Sequence, residues 1–237
     1  MAWNRQYAIL GGDWSLFWHD AIDLLGMEYL YLKMYDDPEL VDVLLQHLTD
    51  SYIAVSQRTF DAAADVMDVF FIDNDFGGQT GPLLSPAQFD RFIMPHLKRL
   101  IDLGHQYRLQ VQRHCCGGYK PLNPAMIVAG LNGLHALQPC CGGMDLAKLK
   151  ANYGSKILLN GAIDSHHVLI SGTPESVLRQ VSGRSLHSDF LACLVGAALA
   201  CQAFRFSIAR LSEPRIRPIR PVASAGRLKH SIRMSSR

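Results

Sequence analysis

The sequence predicts an α/β fold of the (β/α)8 TIM-barrel type, in which parallel strands are joined by crossover helices. Three observations predict it. Short apolar runs alternate with amphipathic stretches of helical period from residue 7 to about residue 180. The chain has 237 residues, near the usual length of such a barrel. The residues that follow four of the apolar runs are rich in side chains that bind metals or handle protons, as expected where loops after parallel strands share one end of a sheet.

In chain order, residues 7–11 (YAILG) read as a buried strand, and Ser15–Leu25 as a helix stopped by Gly26. Asp36-Asp37-Pro38-Glu39 opens a long helix: Asp is a good N-cap, Pro suits the first turn, and Glu39 faces the positive end of the helix dipole. Leu40, Val41, Leu44, Leu45, Leu48, Tyr52 and Val55 form its apolar side. Val66–Ile72 is the next strand, followed by the polar, glycine-rich turn Asp73–Gly81. Ser85-Pro86 starts a helix that runs through Phe89, Phe92, Ile93, Leu97, Leu100 and Ile101 to about His105. Leu109–Arg113, Gly133–Gln138 and Lys156–Asn160 are strands; Pro121–Ala129 and Asp145–Tyr153 are helices ended by Gly130 and Gly154; Thr173-Pro174-Glu175 caps a last helix. Five strand–helix units are legible where a closed barrel has eight. An open doubly wound sheet is the alternative, but no G-x-G-x-x-G follows the first strand to support its dinucleotide-binding version.

Hydrophobic residues make up 49% of the chain and charged residues 19%, enough for a sizeable core and against global disorder. No apolar run reaches the roughly 18 residues a membrane span needs, and residues 1–5 do not resemble a signal peptide; the expectation is a cytoplasmic protein without a membrane partner. The six cysteines include two adjacent pairs, which suit buried thiols or metal ligands better than a disulfide framework. Charge is split. Residues 1–182 hold 13 Lys and Arg against 19 Asp and Glu, whereas residues 183–237 hold 10 against 2, nine of the ten being Arg. Residues 214–221 read PRIRPIRP, with no apolar period to bury. Residues 1–182 are therefore read as the α/β domain, and 183–237 as a basic, Arg-rich tail. That tail is either the product of a shifted reading frame, and disordered, or a genuine basic arm; nucleic acid is not the expected partner.

The chemistry lies at the strand ends: Asp73, Asn74 and Asp75; His114, Cys115 and Cys116; Gln138, Cys140 and Cys141; Asp164, His166 and His167. Alternation along a strand turns residues i and i+2 to one side, so His114 and Cys116 are spaced to share a metal while Cys115 faces away. Imidazole and thiolate suit zinc, but two ligands do not make a site, and a hydrogen-bonded His with a buried Cys is the plainer reading. Cys140-Cys141 offers a further thiolate or merely two small residues in a turn. Asp73 and Asp75 suit paired carboxylates or solvated turn residues, and Asp164 suits a site or simply a helix N-cap.

Several motifs, in order, resemble the uroporphyrinogen decarboxylase and corrinoid-methyltransferase family. Asp75-Phe76-Gly77-Gly78-Gln79-Thr80-Gly81-Pro82-Leu83-Leu84-Ser85-Pro86 with Phe89 and residues 92–98 is similar to its diagnostic turn and helix, and His114-Cys115-Cys116-Gly117 to its His-x-Cys-Gly strand end. Asp37–Val41, Leu137-Gln138-Pro139, Gly143-Met144-Asp145 with Leu149-Lys150, and Gly161-Ala162-Ile163-Asp164 complete the series over about residues 7–180. The resemblance implies a barrel lacking its first strands and its last strand. It implies Asp75 as a catalytic residue, Asp73, Gln79, Gln138 and Asp164 as substrate-binding residues, and His114 and Cys116 as zinc ligands. The implied activity is a corrinoid-dependent methyl transfer to a zinc-activated thiol or similar acceptor, with a partner protein carrying the corrinoid. The alternatives are decarboxylation of a tetrapyrrole, which asks for no thiolate, and an inactive fragment or binding module. Cys193 and Cys201 match no motif of the family.

Overall fold

In the computed structural model, residues 8–14 and 16–185 are described, with side chains to Val181. Among them, five strands form one sheet in the order β1-β2-β3-β4-β5, with every pair parallel. The strands are β1 (Leu10–Asp13), β2 (Val69–Asp73), β3 (Gln110–His114), β4 (Gly133–Leu137) and β5 (Leu158–Gly161). Each strand lies beside its predecessor, so the sheet never reverses its winding. A doubly wound sheet requires such a reversal, and that alternative is set aside. Right-handed crossovers in an unreversed series place the connections on one face, as in a singly wound α/β fold.

The helices form for local reasons that the sequence states. α1 (Phe17–Leu25) buries Phe17, Trp18 and Ala21 and ends at Gly26, whose φ of 80° suits a residue without Cβ. α2 (Met27–Asp36) starts at once and was not expected: Gly26 stops one helix but not the next, and Leu30 and Met34, four residues apart, are its buried side. In α3 (Pro38–Ala63), the Asp37 carboxylate accepts the Leu40 N–H at 3.3 Å, and Pro38 opens the first turn. α4 (Pro86–Gln88), a π-helical turn (Phe89–Ile93) and α5 (Met94–Gln106) make one continuous helix. The wide turn lies just before Pro95, which has no N–H to continue the α-helical ladder. α6 (Asn123–Val128), α7 (Leu146–Tyr153, capped by Asp145) and α8 (Pro174–Ser185) follow β3, β4 and β5.

The core joins α1, α3 and α5 to the sheet. Phe70 and Ile72 of β2, Val111 of β3 and Leu134 of β4 are fully buried, with Phe17, Trp18, Leu45, Phe89, Phe92, Leu97 and Ile101 in the same cluster. Phe60 meets Phe70 edge-on at 4.9 Å.

The first strand departs from expectation. It runs over Leu10–Asp13 rather than residues 7–11, and it is not buried: Ile9 and Leu10 are exposed. Register against β2 sets its position. A Cβ on Gly12 would fall 2.0 Å from the Phe71 carbonyl oxygen, so the backbone approaches β2 where no side chain fits. The apolar run is thus partly an edge. The predicted last helix begins where expected, at Pro174. The proposed tail at 183–237 lies almost wholly outside the described residues.

Candidate metal centre at the strand ends

Because all strands are parallel, the segments after β2, β3, β4 and β5 leave one edge of the sheet, and the first three are bound to one another through glycines. A Cβ on Gly117 would lie 2.1 Å from the Gly77 carbonyl oxygen, and one on Gly142 would lie 2.1 Å from that of Thr80. The Gly118 N–H donates to the Gly78 carbonyl at 2.7 Å, and the Gly142 N–H to the Gln79 carbonyl at 2.8 Å. The glycine-rich turns are therefore contact surfaces between loops, and they fix where the neighbouring polar residues stand.

On this platform Asp75, His114 and Cys116 converge, with one ligand atom from each lying within 4.8 Å of the other two. The Asp75 carboxylate accepts the Cys116 N–H at 2.9 Å, and the Cys116 thiol donates to it at 3.5 Å. Cys115 turns away, is buried, and accepts the Phe76 N–H on its sulfur at 3.4 Å. Burial, then the Asp75 charge and hydrogen bond, push the Cys116 thiol up to about 12. Burial holds His114 below the ordinary imidazole value, against the raising influence of Asp73 and Asp75. Asp73 is the buried last residue of β2, 3.9 Å from His114 Nε2, and not a solvated turn residue.

Two residues here carried no sign in the motif reading. His135, inside β4, stands Nδ1 to Nδ1 with His114 at 2.9 Å, and burial, followed by the His114 charge, depresses it to about 4. Trp14 places its ring 5.1 Å from that of His114 and stacks near Phe71 at 6.1 Å. Only the register reveals His135, since it pairs with His114 across β3 and β4.

The remaining predicted residues sit elsewhere on the same edge. The Gln138 side chain ties two loops: its Nε2 donates to Ser165 Oγ at 2.6 Å, and its Oε1 accepts the Ser165 N–H at 3.3 Å. Gln79 is exposed and contributes its carbonyl to Gly142. Asp164 is an N-cap, accepting the His166 and His167 N–H groups at 2.9 Å each, and it also holds the His167 ring at 2.9 Å. Burial would raise Asp164, but hydrogen bonds from His167, Cys140 and His166 outweigh it and bring it down to about 2. Burial and the Asp164 carboxylate push the Cys140 thiol up to about 11. Cys140, Asp164 and His167 form a second group whose ligand atoms lie within 4.8 Å of one another.

Known proteins are similar to this chain in sequence and in fold. A curated uroporphyrinogen decarboxylase from Synechococcus sp. (strain CC9902) is 30% identical over 108 residues, 44% of this chain and 29% of the relative. One from Xanthomonas campestris pv. campestris (strain B100) is 24% identical over 189 residues, covering 75% of this chain and 48% of the relative. A solved methyltransferase from Methanosarcina mazei superposes with a TM-score of 0.63 at 20% identity, over 78% of this chain and 51% of that one, and this likeness concerns the fold. The chain thus spans about half or less of the length of these relatives. Among the described residues, no helix is long and apolar enough to cross a membrane. The family model for uroporphyrinogen decarboxylase (URO-D) matches residues 10–186, and the chain belongs to that family.

Proposed function

We propose that this chain carries the thiol-activating half of a methyltransferase of the URO-D family, with His114 and Cys116 as zinc ligands and Asp75 as a third donor and proton-handling group. The observation that supports this reading is the convergence of one imidazole, one thiol and one carboxylate at the ends of β2 and β3. The donor set fits the metal. Zinc takes nitrogen, sulfur and oxygen ligands, and a catalytic site has three protein ligands and an open position. The His114–His135 pair is the kind of support a ligating imidazole has, because a partner at one ring nitrogen holds the ring's orientation.

When bound, zinc lowers the pKa of an acceptor thiol, making it a nucleophile near neutral pH. The chain's own residues set the stage. Without a cation, Cys116 is held protonated against Asp75, so the pair is poised to release that proton when a positive charge arrives. Trp14 and Phe71 wall one side of His114, and His135 and Asp73 restrain its ring. Gln138 and Asp164 order the loops beside the site, a place from which they and Gln79 reach a substrate. The methyl donor is a corrinoid carried by a partner protein. The (β/α)8 barrel and the division at residue 182 belong to the same proposal: the unreversed parallel sheet is one arc of such a barrel.

The decarboxylase reading also has support, because the curated sequence relatives carry that name and Asp75 is a carboxylate positioned for acid–base work. Zinc content and methyl transfer from free methylcobalamin to a small thiol distinguish the two. Zinc that copurifies with the chain and falls in Cys116→Ser, together with methyl transfer lost in the same variant, supports the methyltransferase. Equal zinc in both proteins, with carbon dioxide released from a tetrapyrrole substrate, assigns the decarboxylase. Neither activity, with tetrapyrrole or corrinoid bound, leaves a binding module.

A further inference from the structure

The segments after β4 and β5 hold a second convergence of donors, two of which, Cys140 and His167, have no part in the proposed methyl transfer. Cys140 follows β4 and is exposed. Asp164 precedes the π-helical turn Ser165–Leu169, and His167 lies within that turn, 76% exposed in its side chain. Sulfur, oxygen and nitrogen atoms from the three lie within 4.8 Å of one another.

The division of labour within Asp164 makes this more than a helix cap. Oδ1 accepts both backbone N–H groups, those of His166 and His167, at 2.9 Å. Oδ2 is not needed for the cap and faces the His167 ring nitrogen Nδ1 at 2.9 Å. The Cys140 sulfur lies within 4.8 Å of an oxygen of the same carboxylate, so a negative charge and a potential thiolate stand side by side. Among the described residues, no Lys or Arg pairs with Asp164; its one ion-pair partner is His167, which is positive only when protonated. The loops are already held for a ligand. Gln138 bridges them through Ser165, and its Oε1 lies 3.8 Å from the Cys140 sulfur.

We propose that Cys140, Asp164 and His167 bind a second thiophilic divalent cation of the zinc class, separate from Asp75, His114 and Cys116, and that it clips the β4 loop to the turn after β5. Binding replaces the thiol proton of Cys140 and the hydrogen bond between Asp164 and His167 with three bonds to the cation. One proton leaves Cys140 for solvent, and the imidazole coordinates as the neutral ring. The cap on Asp164 Oδ1 survives. Water completes the coordination, because His167 and Cys140 face solvent.

Titration of the full chain with Zn(II), and with Co(II) as a spectroscopic probe, tests the site. Cys140→Ser and His167→Gln alter exposed side chains and leave the Asp164 cap in place. Each is expected to bind about one cation fewer than the parent and to lose part of the near-ultraviolet thiolate-to-Co(II) absorption. Parent-level stoichiometry and absorption in both variants overturn the proposal. The site at Cys116 is read independently: a loss in Cys140→Ser and none in Cys116→Ser supports the second site and rejects the first, whereas the reverse result does the opposite.

Discussion

The two donor clusters on this edge of the sheet are built by different means. Asp75, His114 and Cys116 stand at the ends of two central strands in regular register, against residues that are wholly buried: Phe76, Cys115, Arg113 and Tyr119. Cys140, Asp164 and His167 stand beyond two strands whose pairing is interrupted. Register shifts between Leu134 and Leu137, and Ala136 and Ala162 take positive φ values of 61° and 76°. The first cluster is set by strand alternation and a tight glycine interface, the second by a bulge and a capped turn. A metal at the first meets a site fixed in advance; a metal at the second helps to fix it.

Breaking the glycine interface is the largest test of that contrast. Gly117→Val places side-chain atoms where the Gly77 backbone now lies, and neither backbone can yield without displacing Asp75 or Cys116. Loss of stability of at least about 3 kcal/mol in urea unfolding is expected, with metal binding lost at the first cluster. A stable Gly117→Val protein that still binds zinc through Cys116 breaks the account of a preset site.

Acid unfolding of the metal-free protein separates the clusters by pH. His135 falls from its ordinary 6.5 to about 4 in the folded chain, so its neutral form stabilises the fold above pH 6.5. That contribution is lost as pH falls through the interval down to about 4. Asp164 drops from 3.8 to about 2, so its contribution is complete above pH 4 and is lost as pH falls toward 2. His135→Phe should lessen the loss in the first interval, to which His96 and His114 also contribute, and Asp164→Asn should lessen only the second. The His135 variant should also bind zinc at the first cluster about 10- to 100-fold more weakly, since it removes the partner of His114.

A smaller effect concerns reactivity. Cys116 is exposed, yet its thiol is held up near 12, first by burial of the sulfur and then by Asp75. Asp75→Asn is expected to speed its alkylation at pH 8 roughly tenfold, the change that one pKa unit brings to the thiolate fraction. Peptide-resolved mass spectrometry reads this separately from Cys140, and an unchanged rate removes Asp75 from the site's electrostatics. The smallest expected effect is at the strained turn. Ala162→Gly should stabilise the chain by no more than about 1 kcal/mol, because glycine takes φ of 76° without the Cβ penalty.

The same contrast shows what the residues declared in advance. The alternation of apolar runs and helix starts such as Asp37-Pro38 placed the parallel units, and His114-x-Cys116 placed two donors on one side, because strand period and caps are local properties. Strand boundaries were displaced by up to three residues, as at the start of β2, where pairing with β1 and β3 rather than the apolar run defines Val69–Asp73. α2 was hidden by a glycine that ends one helix and begins the next. His135 and Trp14 were not legible, since their importance arises only when β4 and the end of β1 lie beside β3. The pairing of Cys140 with His167 depends on a bulge and a cap, and neither follows from spacing.

Zinc K-edge absorption of the Cys140→Ser protein tests the central claim most directly, because that variant leaves the first cluster as the expected binder. The account predicts a sulfur neighbour at about 2.3 Å together with nitrogen and oxygen neighbours at about 2.0–2.2 Å, all lost when Cys116→Ser is added. A first shell of nitrogen and oxygen alone, or zinc retained unchanged in the double variant, would contradict it.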